Sequence, residues 1–199
     1  MKLRHRFSGV EYIKAANFTL VYKDVFSSKY IYFILHEWLV GEGYCGADEK
    51  FPEAYYLQKE NPAFGKEIWW RWRLSKFPLS IKSQFWQFML DIDVHILGMT
   101  DAEIMVKDKK LKVNKGEIEF QVASYLVYDA SKSWEKNSWL KPFKKLYVTR
   151  FSKDKRSELK RQLYTDTYRL QDLLKNYLKL ESLIPEKEGE GFWNKRTGE

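Results

Sequence analysis

One cysteine, three histidines and five prolines are all that the 199 residues offer of these types, and each scarcity closes a class of architecture. A lone Cys45 makes neither an intramolecular disulfide nor a cysteine-based metal cluster, so disulfide-scaffold and zinc-ribbon readings fall away and a reducing, cytoplasmic setting is expected. Long hydrophobic runs are missing too. The most apolar stretch, residues 25–40, is interrupted by Lys29, His36 and Glu37 and falls short of the roughly 20 residues that cross a bilayer. Residues 1–6 are basic like the start of a secretory signal, but Glu11 and Lys14 interrupt the apolar residues beyond them, and no signal is expected. Without secretion, the glycosylation sequon at Asn17 has no use.

What is present is apolar mass. With 44% hydrophobic and 17% aromatic residues, the chain has the material to offset the entropy of ordering. Its length suits one domain with a real core, expected over residues 1–184. Pro185 and the Glu/Gly/Lys stretch after it read as a mobile tail over 185–199, in which Phe192 and Trp193 beside Lys195 and Arg196 form a short candidate anchoring motif.

The period of the apolar residues changes along the chain. Ile31, Ile34, Leu35 and Trp38 have helical spacing, with Asp24 as the expected N-cap and an end near Gly41 or Gly43. From residue 53 the pattern alternates. Ile68, Trp70, Trp72 and Leu74 share one face of a strand, leaving Trp69, Arg71 and Arg73 on the other. Residues 85–97 alternate more cleanly and read as a central strand, residues 104–113 as a hairpin, and residues 117–128 as a further strand. Pro142 suits the first turn of a short helix, and Asp154 opens a long one whose Leu159, Leu163, Leu170, Leu174 and Tyr177 form a stripe. The expectation is an α+β domain, an antiparallel meander of about five to six strands packed against an N-terminal helix and a long C-terminal helix. This order resembles the helix-grip architecture of Bet v 1 and START-type proteins over roughly residues 3–180, with one helix before the sheet in place of that family's two. The resemblance implies a curved sheet around the C-terminal helix and an apolar ligand between them, with Trp70, Trp72, Trp86 and Phe88 lining the space.

Charge is unevenly distributed. Residues 1–130 hold 18 basic and 17 acidic groups, residues 131–180 hold 14 and 5, and residues 181–199 hold 3 and 5. On a helical wheel Lys160, Arg161, Tyr164, Tyr168, Lys175 and Lys179 lie away from the leucine stripe, with Lys141, Lys144 and Lys145 upstream in the same positive field. Cations neutralise phosphates and tyrosine rings stack on bases or sit at a headgroup boundary. The expected function is therefore a non-catalytic binding module for an anionic partner: a nucleic acid, a ribonucleoprotein or an acidic protein, with peripheral contact to an anionic membrane as a further reading. A carrier of an apolar ligand is the alternative.

Catalytic signals are weak. Gly41, Gly43 and Gly46 spell G-x-G-x-x-G, but the motif comes after a helix and precedes a loop, the reverse of a dinucleotide-binding turn. Cys45 has no neighbouring base, and G-x-S-x-G is absent. Asp91, Asp93 and His95 alternate on one strand face and are the only metal-like constellation, to which Arg71, Arg73, Glu117 or Glu119 of neighbouring strands could add; pairing of opposite charges across a solvated sheet face explains them better, and no metal is expected. No cofactor is expected.

Overall fold

A computed structural model describes residues 10–45, 53–78, 85–106 and 109–182. The expected tail and its Phe192–Trp193 motif lie outside the described residues. In chain order the elements are β1 (Glu11–Phe26), α1 (Ser28–Gly41), β2 (Glu53–Asn61), β3 (Gly65–Lys76), β4 (Trp86–Val106) and β5 (Lys109–Tyr128). Two short helices, α2 (Ser133–Lys136) and α3 (Lys141–Leu146), and a π-turn segment (Tyr147–Phe151) then lead to α4 (Lys153–Ser182).

The five strands form one antiparallel sheet in the order β1-β5-β4-β3-β2. The fold is therefore the α+β arrangement read from the sequence. β1 and β2 lie at opposite edges, so α1, which joins them, has to cross one face of the sheet. That face carries the apolar side chains of the central strands and of β1: Phe18 and Phe26 from β1, Trp70 and Trp72 from β3, Ile92 and Val94 from β4, Ile118 and Phe120 from β5. Ile31, Leu35 and Leu39 of α1 and Leu170, Leu174 and Tyr177 of α4 close over it. Near the other end Phe85, Trp86, Phe88 and Leu126 pack with Val148, Leu159 and Leu163. Each fully buried side chain of this size contributes about 1.5–3 kcal/mol, and the leucine stripe of α4 serves both clusters, Leu170 and Leu174 the first and Leu159 and Leu163 the second.

One local reading changes. Asp24 does not cap α1: β1 runs through it, pairing it with Gly116, and the cap is Ser27, whose hydroxyl accepts from the Tyr30 N–H. The strand's pairing with β5 outcompetes an early helix start. Residues 104–113 form the hairpin read from the sequence, with Ile104 opposite Leu111 and Val106 opposite Lys109, and it continues the long β4–β5 ribbon, so the sheet has five strands among the described residues. The ribbon is interrupted by a register shift between Leu97 and Thr100, where Gly98 has φ +63° and a Cβ on Gly116 would lie 3.0 Å from the Leu97 carbonyl oxygen. Glycine at both places lets the strands bend without parting.

Candidate binding surfaces

Asp129 holds the start of the basic C-terminal segment, α2 and α3, to the end of the sheet. Asp129 ends β5 with φ +53°, donates its N–H to the Phe85 carbonyl at 2.7 Å, and is 1% exposed. Its carboxylate accepts from the Ser133 hydroxyl and the Trp134 N–H, each at 3.1 Å, and from the Glu135 N–H at 3.2 Å, and so caps α2. Lys144 Nζ lies 3.3 Å from the same carboxylate, 3.8 Å from Glu11 and 5.8 Å from the Tyr128 ring centroid. Burial drives the Asp129 carboxyl upward, but the Trp134 N–H, Lys144 and Ser133 together outweigh it and hold the group below its ordinary value. Lys144, expected to meet a partner, is thus turned inward as a buried ion pair. Its role is to fasten α3 to the end of the sheet.

With Lys144 inward, the rest of that stretch faces out. Lys141 and Lys145 are exposed, as are Phe143, Leu146, Trp139 and Phe151, the last two at 78% each. Trp139 and Phe143 stand ring to ring at 6.0 Å. On α4, Lys160, Arg161 and Tyr164 are exposed, and Tyr164 lies 4.5 Å from the half-buried Tyr168. Lys175 is half-buried, and the side chain of Lys179 lies outside the described residues. Lys141, Lys145, Lys160 and Arg161 have no ion-pair partner among the described residues. A helical wheel finds the cations and tyrosines but misses Trp139, Phe143, Leu146 and Phe151. A signal for them exists: residues 136–153 hold six cations and no acid, interrupted by large apolar residues that fit no single helical face.

The other expected sites are placed differently. Trp72, Trp86 and Phe88 are packed in the core, at or near full burial. Trp70 is also buried, yet its indole Nε1–H has no hydrogen-bond partner among the described residues. On the opposite sheet face Arg73 lies between two acids, 2.6 Å from Asp93 and 3.8 Å from Asp91, all three largely shielded from solvent. His95 stacks on Trp69 at 4.7 Å and meets Glu67 at 2.9 Å. The two aspartates are therefore held by a cation and the histidine by a glutamate, and no group of three metal-ligating side chains occurs among the described residues. Gly41 ends α1, Glu42 is its C-cap with an N–H to the Trp38 carbonyl at 2.9 Å, and Gly43 turns the chain at φ +73°. The glycine motif closes a helix rather than opening one, with Gly46 outside the described residues. Cys45 is half-buried.

A third cluster joins the helices to the sheet. Lys76 Nζ reaches the Glu42 carbonyl at 2.7 Å, lies 4.0 Å from Asp166 and sits 4.3 Å from the Tyr44 ring centroid, while Arg169 bonds Glu42 at 3.2 Å. Burial lowers the Lys76 pKa despite both acids, and burial raises that of Asp166 despite Lys76. These groups face one another and tie α1, β3 and α4 together.

No helix among the described residues is long and apolar enough to cross a membrane. Comparison with models of known families, with curated proteins and with solved structures finds no match to this chain.

Proposed function

We propose that the protein is a non-catalytic binding module that docks an anionic partner, a nucleic acid foremost, through the outward side of residues 139–168. One observation carries the reading. Lys141, Lys145, Lys160 and Arg161 stand exposed without ion-pair partners among the described residues, interleaved with the exposed rings of Trp139, Phe143, Phe151 and Tyr164. A cation left unpaired on a surface keeps its full attraction for phosphate, and each contact releases condensed counterions. Exposed rings add base stacking worth about 1–3 kcal/mol per base, which needs no sequence preference. An acidic protein would use the cations and leave the rings in water. A single strand uses both.

Fluorescence polarisation of the full chain against labelled single-stranded RNA, single- and double-stranded DNA and heparin, from low to physiological salt, tests the reading. Single strands are expected to bind most tightly, with log K falling by about 0.7 per phosphate contact for each tenfold rise in salt. Charge reversal at Lys145, Lys160 and Arg161 is expected to abolish binding, and Trp139→Ala with Phe151→Ala to weaken single strands more than heparin. Reversal mutants that bind like the parent refute the surface. Binding to phosphatidylserine vesicles but to no nucleic acid transfers the surface to a membrane partner.

A further inference from the structure

α1 is apolar on both sides. Its only charged or basic side chains are Lys29, His36 and Glu37, and while Ile31, Leu35 and Leu39 face the core, Tyr30 and Phe33 on the opposite side are 50% and 56% exposed. The outer face of a helix packed on a sheet is ordinarily polar, because water covers it. Here rings stand in water. They are also held in place, Tyr30 stacking on Phe33 at 6.3 Å and meeting Tyr177 of α4 at 5.2 Å, so covering them costs little further side-chain entropy.

The charges on this face have a symmetry of their own. Lys29 and Glu37 each lie four residues from Phe33, which places them about 6 Å from it along the axis in opposite directions and about 40° to opposite sides. A twofold axis through Phe33, perpendicular to the helix, reverses both direction and side. It therefore lays Lys29 of one copy against Glu37 of a second copy, and the same pair forms again at the other end. Phe33 meets Phe33, and Tyr30 meets His36. A parallel copy would instead oppose Lys29 to Lys29 and Glu37 to Glu37. Both charges are available: Glu37 is exposed and contacts only its neighbour His36, at 3.5 Å, and Lys29 is exposed without an ion-pair partner among the described residues. Lys29 also stands in the first turn, where the helix dipole disfavours a cation, and an antiparallel second helix brings its negative end there.

We propose that two copies of this chain associate through the outer face of α1, antiparallel about a twofold axis at Phe33. Such an interface is isologous and closes on itself. Charge complementarity selects the occupant, since opposite charges equally spaced about a central ring match their own image. The 14 residues of α1 span about 21 Å, and this face offers less than the roughly 800 Å² per partner of a standard stable interface, so the pairing is reversible, with an expected Kd of about 1–100 μM. The face is independent of the polyanion surface, which lies on other elements.

Sedimentation velocity of the full, nuclease-treated chain from about 1 to 300 μM tests this. A monomer passing reversibly into a dimer is expected. Lys29→Glu and Glu37→Lys each oppose like charges at both ends of the interface and are expected to weaken self-association at least about tenfold. Each substitution also introduces the charge that its end of the helix dipole favours, so circular dichroism melts are expected to show neither variant less stable than the parent. Mixed in equal amounts, the two variants regain both pairs in a heterodimer and are expected to associate within about threefold of the parent affinity. Phe33→Glu, which sets two carboxylates on the axis, is expected to leave the chain monomeric. A parent that stays monomeric overturns the proposal and leaves the face to a partner of another kind. Unchanged association in Lys29→Glu, Glu37→Lys or Phe33→Glu, or a mixture no tighter than its components alone, overturns it as well.

Discussion

Replacing Asp129 with alanine removes the contacts that hold α2 and α3 to the end of the sheet, and the cost comes from the groups left behind. The side chain is fully shielded, accepts three hydrogen bonds and faces Lys144, itself only 10% exposed. Removing one partner of such a pair costs about 3–5 kcal/mol, because the other charge stays buried. Glu11, 3.8 Å from Lys144, offers a substitute partner, which places the expected loss near 3 kcal/mol. For a chain of this size each kcal/mol lowers Tm by about 2–4 °C, so a fall of about 6–12 °C is expected by circular dichroism melting. Alanine also meets the φ of +53° poorly, so Asp129→Asn, which accepts that conformation and keeps an acceptor for Ser133 and Trp134, separates backbone from charge. Asn is expected to lose about half as much as Ala. Lys144→Met in the Asp129→Asn background is then expected to cost less than in the parent, giving a coupling energy above about 0.5 kcal/mol. Additive losses, or a fall in Tm below about 3 °C for Asp129→Ala, refute the anchor. The pH dependence has a definite sign. The folded-state pKa is lowered, so the stabilisation is present above the ordinary aspartate value and is lost as pH falls through the lower, folded one.

Asp166 predicts the opposite slope. Its folded pKa is raised by burial, so stability declines as pH climbs through that raised value, and Asp166→Asn is expected to gain on the parent between acid and neutral pH in paired thermal melts. Arg73→Met strands Asp91 and Asp93 together behind largely shielded walls and is expected to cost about 3–5 kcal/mol in urea unfolding, most of it regained when both aspartates become asparagine. Gly65→Ala meets φ +80° and a Cβ 2.8 Å from the Met99 carbonyl oxygen, and a loss above about 1 kcal/mol is expected in the same assay. Leu163→Ala, fully buried against Phe85 and Trp86, is expected to cost about 2–5 kcal/mol.

Much of the fold is legible in the order of the residues. The alternation of Ile68, Trp70, Trp72 and Leu74, and of Trp86 through Ile96, marks the buried face of β3 and β4 residue by residue. Leu159, Leu163, Leu170, Leu174 and Tyr177 are all buried on α4 as their spacing requires. The candidate surface is less legible. Lys144 carries the same local pattern as Lys141 and Lys145, yet only Lys144 meets Asp129, at the end of β5, whose carboxylate nothing local marks as a trap. Trp139, in the turn between α2 and α3, and Phe151, at the end of the π-turn segment, look like core residues by composition and lie outside, because this stretch carries more apolar side chains than one sheet end can cover.

Period and charge are properties of neighbours in the chain, so the alternating strands, the leucine-striped helix, the end of α1 at Gly41 and the basic excess of residues 131–180 can be read directly from the order of the amino acids. Pairing and orientation are not. That β1 joins β5, with α1 and three other strands between them in the chain, is decided by which apolar faces meet in space. The same meeting sends α1 across the sheet, leaves the β2 edge open beside Trp70, and turns one lysine of three inward. Each of these depends on contacts between distant segments, whose free energies no local pattern contains.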